Sequence, residues 1–186
     1  MLHAPQIGGL EIRQEGGAVH LRGSFPYGRA AELAPGREET FAPRAFAGRI
    51  EAGGDVHFLA GHDWGKPLAS RAAGTLRLHD TDDALVLEAE IAAELRAAHY
   101  AVGFLAAHAA GLVRGLSPGF RVAPGGERIE SRGNSVLRTV LRAELVEVSA
   151  VTRPAYGAAQ VEARAWQPGR DAPDAGLART LNRWRL

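Results

Sequence analysis

Glycine and proline interrupt this chain so often that short elements joined by many turns are favoured over long ones. Among its 186 residues are 23 Gly and 10 Pro, and both residue types favour turns and disrupt the interior of regular structure. A chain of this length fits one hydrophobic core, because single domains commonly contain about 100–200 residues. We therefore expect one domain rich in turns.

Alternation of apolar and polar residues predicts that most of the elements are β-strands. A hairpin around Gly16-Gly17 is predicted at the start, because paired glycines supply the positive φ of tight turns. Strands are predicted at residues 10–12, 18–22, 56–60, 74–78, 84–91, 117–122 and 135–151. Residues 26–50 are predicted to be an ordered loop ending in a helical turn, and residues 124–134 a solvated loop.

One long helix is predicted at about residues 92–112, where the composition turns to Ala and Leu with apolar positions at helical spacing. Gly111 suits the exit from this helix, because glycine accepts the left-handed backbone common at helix C-termini. The predicted fold class is therefore α+β, mainly antiparallel, with one long helix and short flanking helices.

Charge and composition exclude several functional classes. Basic and acidic residues nearly balance, 22 against 21, so no global field would attract nucleic acid or an anionic membrane. The absence of cysteine excludes disulfides and thiol nucleophiles. No apolar run approaches the roughly 20 residues of a membrane span, and the N-terminus does not resemble a signal peptide. We expect a soluble protein that is not exported.

Three segments carry candidate catalytic residues. In the first, an apolar strand delivers His62 into a glycine-flanked turn, and a histidine accepts and returns a proton near neutral pH. In the second, Ser117 lies between glycines after the helix, where the missing Cβ of Gly119 would let a substrate carbonyl approach. Its spacing differs from the G-x-S-x-G elbow, which argues against an α/β-hydrolase.

The third segment alternates so that Glu147 and Ser149 share one face of a strand. A carboxylate in this position is able to hold the second nitrogen of a histidine, whereas Ser149 is predicted to serve in packing. A zinc hydrolase using His57, His62, Asp63 or His79 is the competing interpretation of the histidines. The sequence has neither an H-E-x-x-H motif nor cysteine ligands, so neither a metal nor another cofactor is predicted.

A series of short motifs extends over about residues 20–160. In chain order they are Phe25 to Gly28, Glu32 to Gly36, Glu39 to Pro43 with Ala45-Phe46, Gly61 to Asp63, Pro67 to Ala69, Gly74 to Leu76, Gly115 to Phe120, and Leu145 to Ser149 with Pro154-Ala155. Together these motifs resemble the HK97-type prohead (capsid maturation) serine protease family. Each motif is weak alone, but their combined order and spacing are specific.

The resemblance implies a β-barrel related to the herpesvirus assemblin fold and a serine endopeptidase that trims scaffold and capsid proteins inside an immature head. By motif match, His62, Ser117 and Glu147 take the catalytic positions, and Glu144 or Asp63 remain alternatives for the acid. Backbone amides near Thr152 and Arg153 are candidate oxyanion donors.

The expected organisation is a protease domain at residues 1–165 and a flexible tail at residues 166–186 that is self-processed or binds the scaffold. The expected partner is the major capsid protein or its scaffold segment, with a homo-oligomer possible and no nucleic acid or membrane partner. The expected location is the assembling prohead in a bacterial host cytoplasm, for a phage, a prophage or a gene-transfer particle. An inactive, protease-like assembly factor of the capsid is the alternative function, and an esterase is a minor one.

Overall fold

A computed structural model describes residues 10–15 and 18–152 of the chain. The predicted tail and the end of the predicted protease domain, from residue 153 onward, lie outside the described residues. Twelve strands and two helices are present in the described part, in the chain order β1 Leu10–Glu15, β2 Ala18–Pro26, β3 Ala31–Ala34, β4 Arg37–Phe41, α1 Ala47–Glu51, β5 His57–Ala60, β6 Pro67–Ser70, β7 Leu76–Asp80, β8 Ala84–Ile91, α2 His99–Ala109, β9 Gly115–Val122, β10 Glu127–Arg132, β11 Ser135–Val140 and β12 Ala143–Val151.

The strands of the described residues form three four-stranded sheets. Their orders are β1-β2-β8-β7, β10-β11-β4-β3 and β6-β5-β12-β9. All pairings are antiparallel except β4 with β11 and β5 with β12. The predicted hairpin at the start is confirmed, because β1 and β2 pair from Glu15 with Ala18 outward to Leu10 with Gly23. The α+β, mainly antiparallel class is also confirmed.

The closed barrel implied by the resemblance is not found among the described residues. The three ladders end in separate edge strands instead of joining into one continuous ring. β9 is one of these edge strands, and it lies against β2 without pairing with it. Pro118 within β9 has no amide hydrogen to donate to a ladder.

The predicted long helix at residues 92–112 is wrong in length. A 3₁₀ turn at Leu95–Ala97 is followed by Ala98 in an extended conformation, and only the eleven residues of α2 are α-helical. The alanine-rich composition favours helix throughout this segment, but helices in proteins depend mainly on packing of an apolar face. Because α2 buries only Ala101 and Phe104, packing supports a shorter helix than composition predicts. The predicted exit is confirmed, since Gly111 has a φ of 70°. Neither helix in the described ranges is long and apolar enough to cross a bilayer.

Two segments predicted as loops contain strands. Within residues 26–50, β3 and β4 pair with each other, and β4 also pairs with β11. Within residues 124–134, β10 pairs with β11 while exposing nearly all of its side chains. β10 lacks the alternation of a half-buried strand because nearly all of its side chains are exposed, and β4 lacks it because its last three residues are buried in succession. β3 alternates, but over only four residues. Backbone pairing of β4 and β10 with β11 brings these strands into one sheet.

All three sheets contribute side chains to one core, as the length of the chain predicts. At its centre, the ring of Phe41 lies 5.3 Å from Phe25, 5.3 Å from Phe46 and 5.0 Å from Phe120, measured between ring centroids. Aromatic pairs at such distances contribute about 0.5–1.5 kcal/mol each beyond the area they bury. Phe120 therefore fixes β9 against the core, and strand alternation turns Ser117 and Gly119 toward the other face.

Asp80 at the end of β7 is a half-buried carboxylate with one unsatisfied oxygen. Its Oδ1 accepts a hydrogen bond from the Tyr27 hydroxyl, while its Oδ2 is buried without a partner. Burial raises the pKa of Asp80 above its ordinary value of 3.8. Because the folded state then binds the proton more tightly than the unfolded state, stability falls as the pH rises from about that value through the higher pKa of the folded protein.

We expect Asp80→Asn to raise the melting temperature at neutral pH, because the amide keeps an acceptor for Tyr27 without placing a charge in this half-buried site. Thermal unfolding of both proteins across a pH series measures the effect. The difference should shrink toward zero as the pH falls below the ordinary pKa of aspartate. A lower melting temperature for the variant at neutral pH would contradict this account and would indicate that the nearby charge of Arg44 outweighs burial.

Candidate active site

The end of β5 carries His62 to β12, the neighbouring strand of its sheet. β5 runs parallel to β12 with Phe58 opposite Val148, and Gly61 extends the ladder by donating its N–H to the Ala150 carbonyl at 3.0 Å. Gly61 and His62 then both have positive φ, 71° and 61°. Such a backbone is uncommon for a residue with a Cβ, although histidine adopts it more readily than most. The resulting turn brings the side chain of His62 back to β12.

The imidazole of His62 is hydrogen-bonded to Glu147 on β12. The distance from Nδ1 to Oε1 is 2.7 Å. The Glu147 side chain is 6% exposed and that of His62 is 38% exposed, so the acid is buried and the ring reaches solvent. An ionised carboxylate only accepts hydrogen bonds, so this contact requires the proton on Nδ1. In the neutral ring, Nε2 is then the basic nitrogen, as a general base requires.

Ser149, which the sequence suggested is a packing residue, is part of this hydrogen-bond network. It is completely buried, and its hydroxyl donates to Oε2 of Glu147 at 2.6 Å. The Ser149 oxygen in turn accepts a hydrogen bond from the backbone N–H of His62 at 3.0 Å. Both oxygens of the Glu147 carboxylate are therefore occupied, one by the imidazole and one by a hydroxyl. The adjacent position of Glu147 and Ser149 on one face was predicted, but the role of the hydroxyl was not.

Gly119 makes room for the carboxylate of Glu147. The two residues are cross-strand partners between β9 and β12. A Cβ at position 119 would lie 2.1 Å from Oε1 and 2.8 Å from Cδ of Glu147, far inside van der Waals contact. The sequence suggested that the missing Cβ admits a substrate carbonyl, whereas in the structure the acid fills this space.

Ser117 lies on the same face of the sheet, two residues from Gly119 and directly opposite Ser149. Residues two apart in a strand are separated by about 7 Å, so the hydroxyl and the His62–Glu147 pair occupy neighbouring positions. Ser117 is 1% exposed, and its Oγ is buried without a hydrogen-bond partner. The hydrogen bond between Ser117 and His62 that a catalytic dyad uses is therefore not formed in this structure.

A comparison with protein families determines the class of the protein. The model of a family described as caudovirus prohead serine protease matches residues 11–170, which is most of the chain. The chain belongs to this family. No curated protein and no solved structure gives a significant match. The resemblance to prohead proteases that the sequence motifs indicated is confirmed.

Membership makes the chain a prohead serine protease, that is, a serine peptidase of capsid maturation at the level of the family. Proteases of this family act on capsid or scaffold proteins. The matched range includes His62, Ser117 and Glu147, together with Gly119 and Ser149.

The two alternative acids of this prohead protease contact other residues. Glu144 pairs with Arg49 at 3.0 Å and lies 3.9 Å from Arg121. Asp63 accepts from the Lys66 ammonium at 2.9 Å and from the backbone N–H of Gly65 at 2.8 Å. The hydrogen bond from Lys66 holds the pKa of this exposed Asp63 carboxyl below its usual value. Glu147 is the acid whose contact with His62 the structure records.

Two of the histidines considered as zinc ligands, His62 and His57, contact different residues. His62 meets Glu147, whereas His57 lies 3.6 Å from Asp55 and 5.4 Å from the ring of Trp64. Within the ranges that the structure describes, no group of three His, Asp or Glu side chains is arranged to hold a metal ion.

Of the two predicted oxyanion donors, Thr152 is described by the structure and directly follows β12. Thr152 follows Val151, which pairs with Gly115, so its backbone lies about 10 Å along the strand from Ser149. Arg153 lies outside the described residues. The assignment of these amides as oxyanion donors stays a prediction.

Proposed function

We propose that this prohead protease is an endopeptidase in which Ser117 is the nucleophile, His62 the general base and Glu147 the acid that orients the base. The observation that supports this most is the 2.7 Å bond from His62 Nδ1 to a buried Glu147, on the face of the sheet that also carries Ser117. A buried acid that holds one imidazole nitrogen selects the tautomer in which the other nitrogen takes a proton.

The proposed reaction begins when His62 Nε2 takes the proton of the Ser117 hydroxyl. The Ser117 oxygen then bonds to the carbonyl carbon of the substrate peptide, and the imidazolium donates its proton to the departing amine as the C–N bond breaks. A water molecule, deprotonated by the same nitrogen, then attacks the carbonyl carbon of the acyl-enzyme, and the imidazolium returns this proton to the Ser117 oxygen as the ester bond breaks. Glu147 stabilises the positive charge that His62 carries between these steps.

Ser117 and His62 must approach each other for the first proton transfer. Catalytic hydrogen bonds are often long before a substrate binds and shorten in the complex. Two features favour such an approach here. The Ser117 hydroxyl is not committed to another partner in the described structure, and His62 lies in a turn after its strand instead of within it.

The proposed substrates are the scaffold segment of the major capsid protein and the chain itself. In this proposal residues 1–165 are the protease domain, residues 166–186 are a tail that the enzyme removes, and the reaction takes place in the assembling prohead within the host cytoplasm. Assembly of several copies is compatible with this arrangement.

An inactive assembly factor with a protease fold is the second candidate. One observation favours it, which is that Ser117 is 1% exposed and is not bonded to the proposed base. The presence of a buried acid against an imidazole favours the enzyme, because an assembly factor gains nothing from a fixed histidine tautomer.

A fluorophosphonate probe separates the two candidates, because it forms a covalent bond with a serine oxygen that an adjacent base has activated. We expect the purified chain to gain one adduct, located by peptide mass spectrometry on the peptide that contains Ser117. His62→Gln should abolish the labelling, and Ser131→Ala, a control at an exposed serine of β10, should label normally.

Labelling that persists unchanged in His62→Gln, or that falls on another serine, would overturn the proposed roles. Mixing the chain with its cognate capsid protein, and determining the new N-termini, then identifies the bonds cleaved. A chain that neither labels nor cleaves in the assembled prohead would favour the assembly factor.

A further inference from the structure

Ser149 is a buried residue that contacts both the proposed acid, Glu147, and the proposed base, His62. Its hydroxyl has one hydrogen to donate and two lone pairs to accept. The hydrogen goes to Glu147 Oε2 at 2.6 Å, and one lone pair takes the backbone N–H of His62 at 3.0 Å. The Ser149 side chain therefore contacts both the Glu147 carboxylate and the backbone of His62, whose imidazole the same carboxylate binds.

Each of these contacts restricts a different movement. The bond to the His62 amide holds the left-handed turn after β5, where the φ of His62 is 61°. The bond to Glu147 prevents the carboxylate from rotating about its terminal torsion, which is otherwise soft for a glutamate. Together they leave Oε1 directed at the imidazole, in the space that Gly119 leaves empty.

The environment of Ser149 argues against a role as a second nucleophile. Ser149 is completely buried, and its proton is committed to a carboxylate instead of to an imidazole nitrogen. Its Cα is the cross-strand partner of Ser117, so it lies next to the proposed nucleophile without taking its place.

We infer that Ser149 is a positioning residue, which aligns Glu147 and the His62 turn so that the imidazole is directed correctly at Ser117. This inference rests on the proposed function. Misplacement of a catalytic group by about 1 Å lowers the rate by roughly 10²-fold. Because Ser149 does not touch the substrate, its loss should lower kcat and leave KM unchanged.

The kinetic test compares Ser149→Ala with Ser149→Thr, which keeps the hydroxyl. We expect Ser149→Ala to lower kcat by about 10²-fold at constant KM, and Ser149→Thr to restore most of the activity. Ser131→Ala is the matched control and should behave as wild type. Wild-type kcat in Ser149→Ala, or equal losses in Ser149→Ala and Ser149→Thr, would overturn the inference.

A spectroscopic test does not depend on catalysis. In a Ser117→Ala background, the proton shared by His62 Nδ1 and Glu147 should give a strongly downfield proton NMR signal, assigned by its absence in His62→Gln. Adding Ser149→Ala should broaden or remove this signal, and Ser149→Thr should preserve it. A signal that is unchanged in Ser149→Ala would overturn the inference.

The two tests distinguish failure of the inference from failure of the proposed function. If Ser117→Ala abolishes cleavage while Ser149→Ala leaves both kcat and the signal unchanged, only the inference fails. If Ser117→Ala cleaves normally, the proposed catalytic roles fail, and so does a positioning role in catalysis.

Discussion

Ser117→Ala is expected to lower kcat for cleavage of the capsid partner by about 10⁶-fold, the general size of the effect when a triad loses its serine. This corresponds to about 8 kcal/mol of lost transition-state stabilisation. The reason is that no covalent acyl-enzyme forms without the hydroxyl. The measurement is the appearance of new capsid N-termini after co-expression, with Ser131→Ala as the matched serine control.

The same substitution is expected to leave the fold intact or to stabilise it. The Ser117 oxygen is buried without a hydrogen-bond partner, and an unsatisfied buried polar group costs about 1–3 kcal/mol. The melting temperature of Ser117→Ala should therefore equal or exceed that of the wild type. A variant that cleaves at the wild-type rate would remove Ser117 from the mechanism, and this melting temperature shows whether a loss of activity reflects chemistry or unfolding.

Glu147→Gln is expected to lower kcat by about 10⁴-fold, which is the typical effect of replacing the acid of a triad by its amide. An amide has the shape of the carboxylate but carries no charge, so it neither stabilises the imidazolium nor imposes one tautomer on His62. Its NH₂ group must also face either the imidazole or the Ser149 hydroxyl, both of which donate to the acid in the wild type. The measurement is kcat for the same cleavage reaction.

Glu144→Gln is the matched control for this prediction. Glu144 is on the same strand, but its carboxylate pairs with Arg49 and is 42% exposed. Exposed pairs of this kind contribute about 0–1 kcal/mol, so activity should stay within a few-fold of wild type. A large loss in Glu144→Gln, together with a small one in Glu147→Gln, would exchange the roles of the two acids.

Short motifs in the sequence identified the candidate residues better than periodicity identified the elements. His62, Ser117 and Glu147 each lie in a segment whose residue types are unusual enough to stand out, and the family match covers all three. In contrast, β3, β4 and β10 were not predicted, because β4 and β10 lack the alternation of a half-buried strand and β3 alternates over only four residues. The predicted helix was too long, because alanine is compatible with both a buried and an exposed position.

The sequence by itself determined the family, the single core, the mainly antiparallel class and the set of candidate residues, because these depend on residue types and local spacing. Only the tertiary structure decided that Glu147 is the acid that contacts His62. It also decided that Ser149 is hydrogen-bonded to both of these residues, and that Gly119 makes room for the carboxylate. His62 is separated along the chain from Glu147 by 85 positions and from Ser149 by 87. The geometry of these contacts arises from the register of β12 between β5 and β9, which no local pattern encodes.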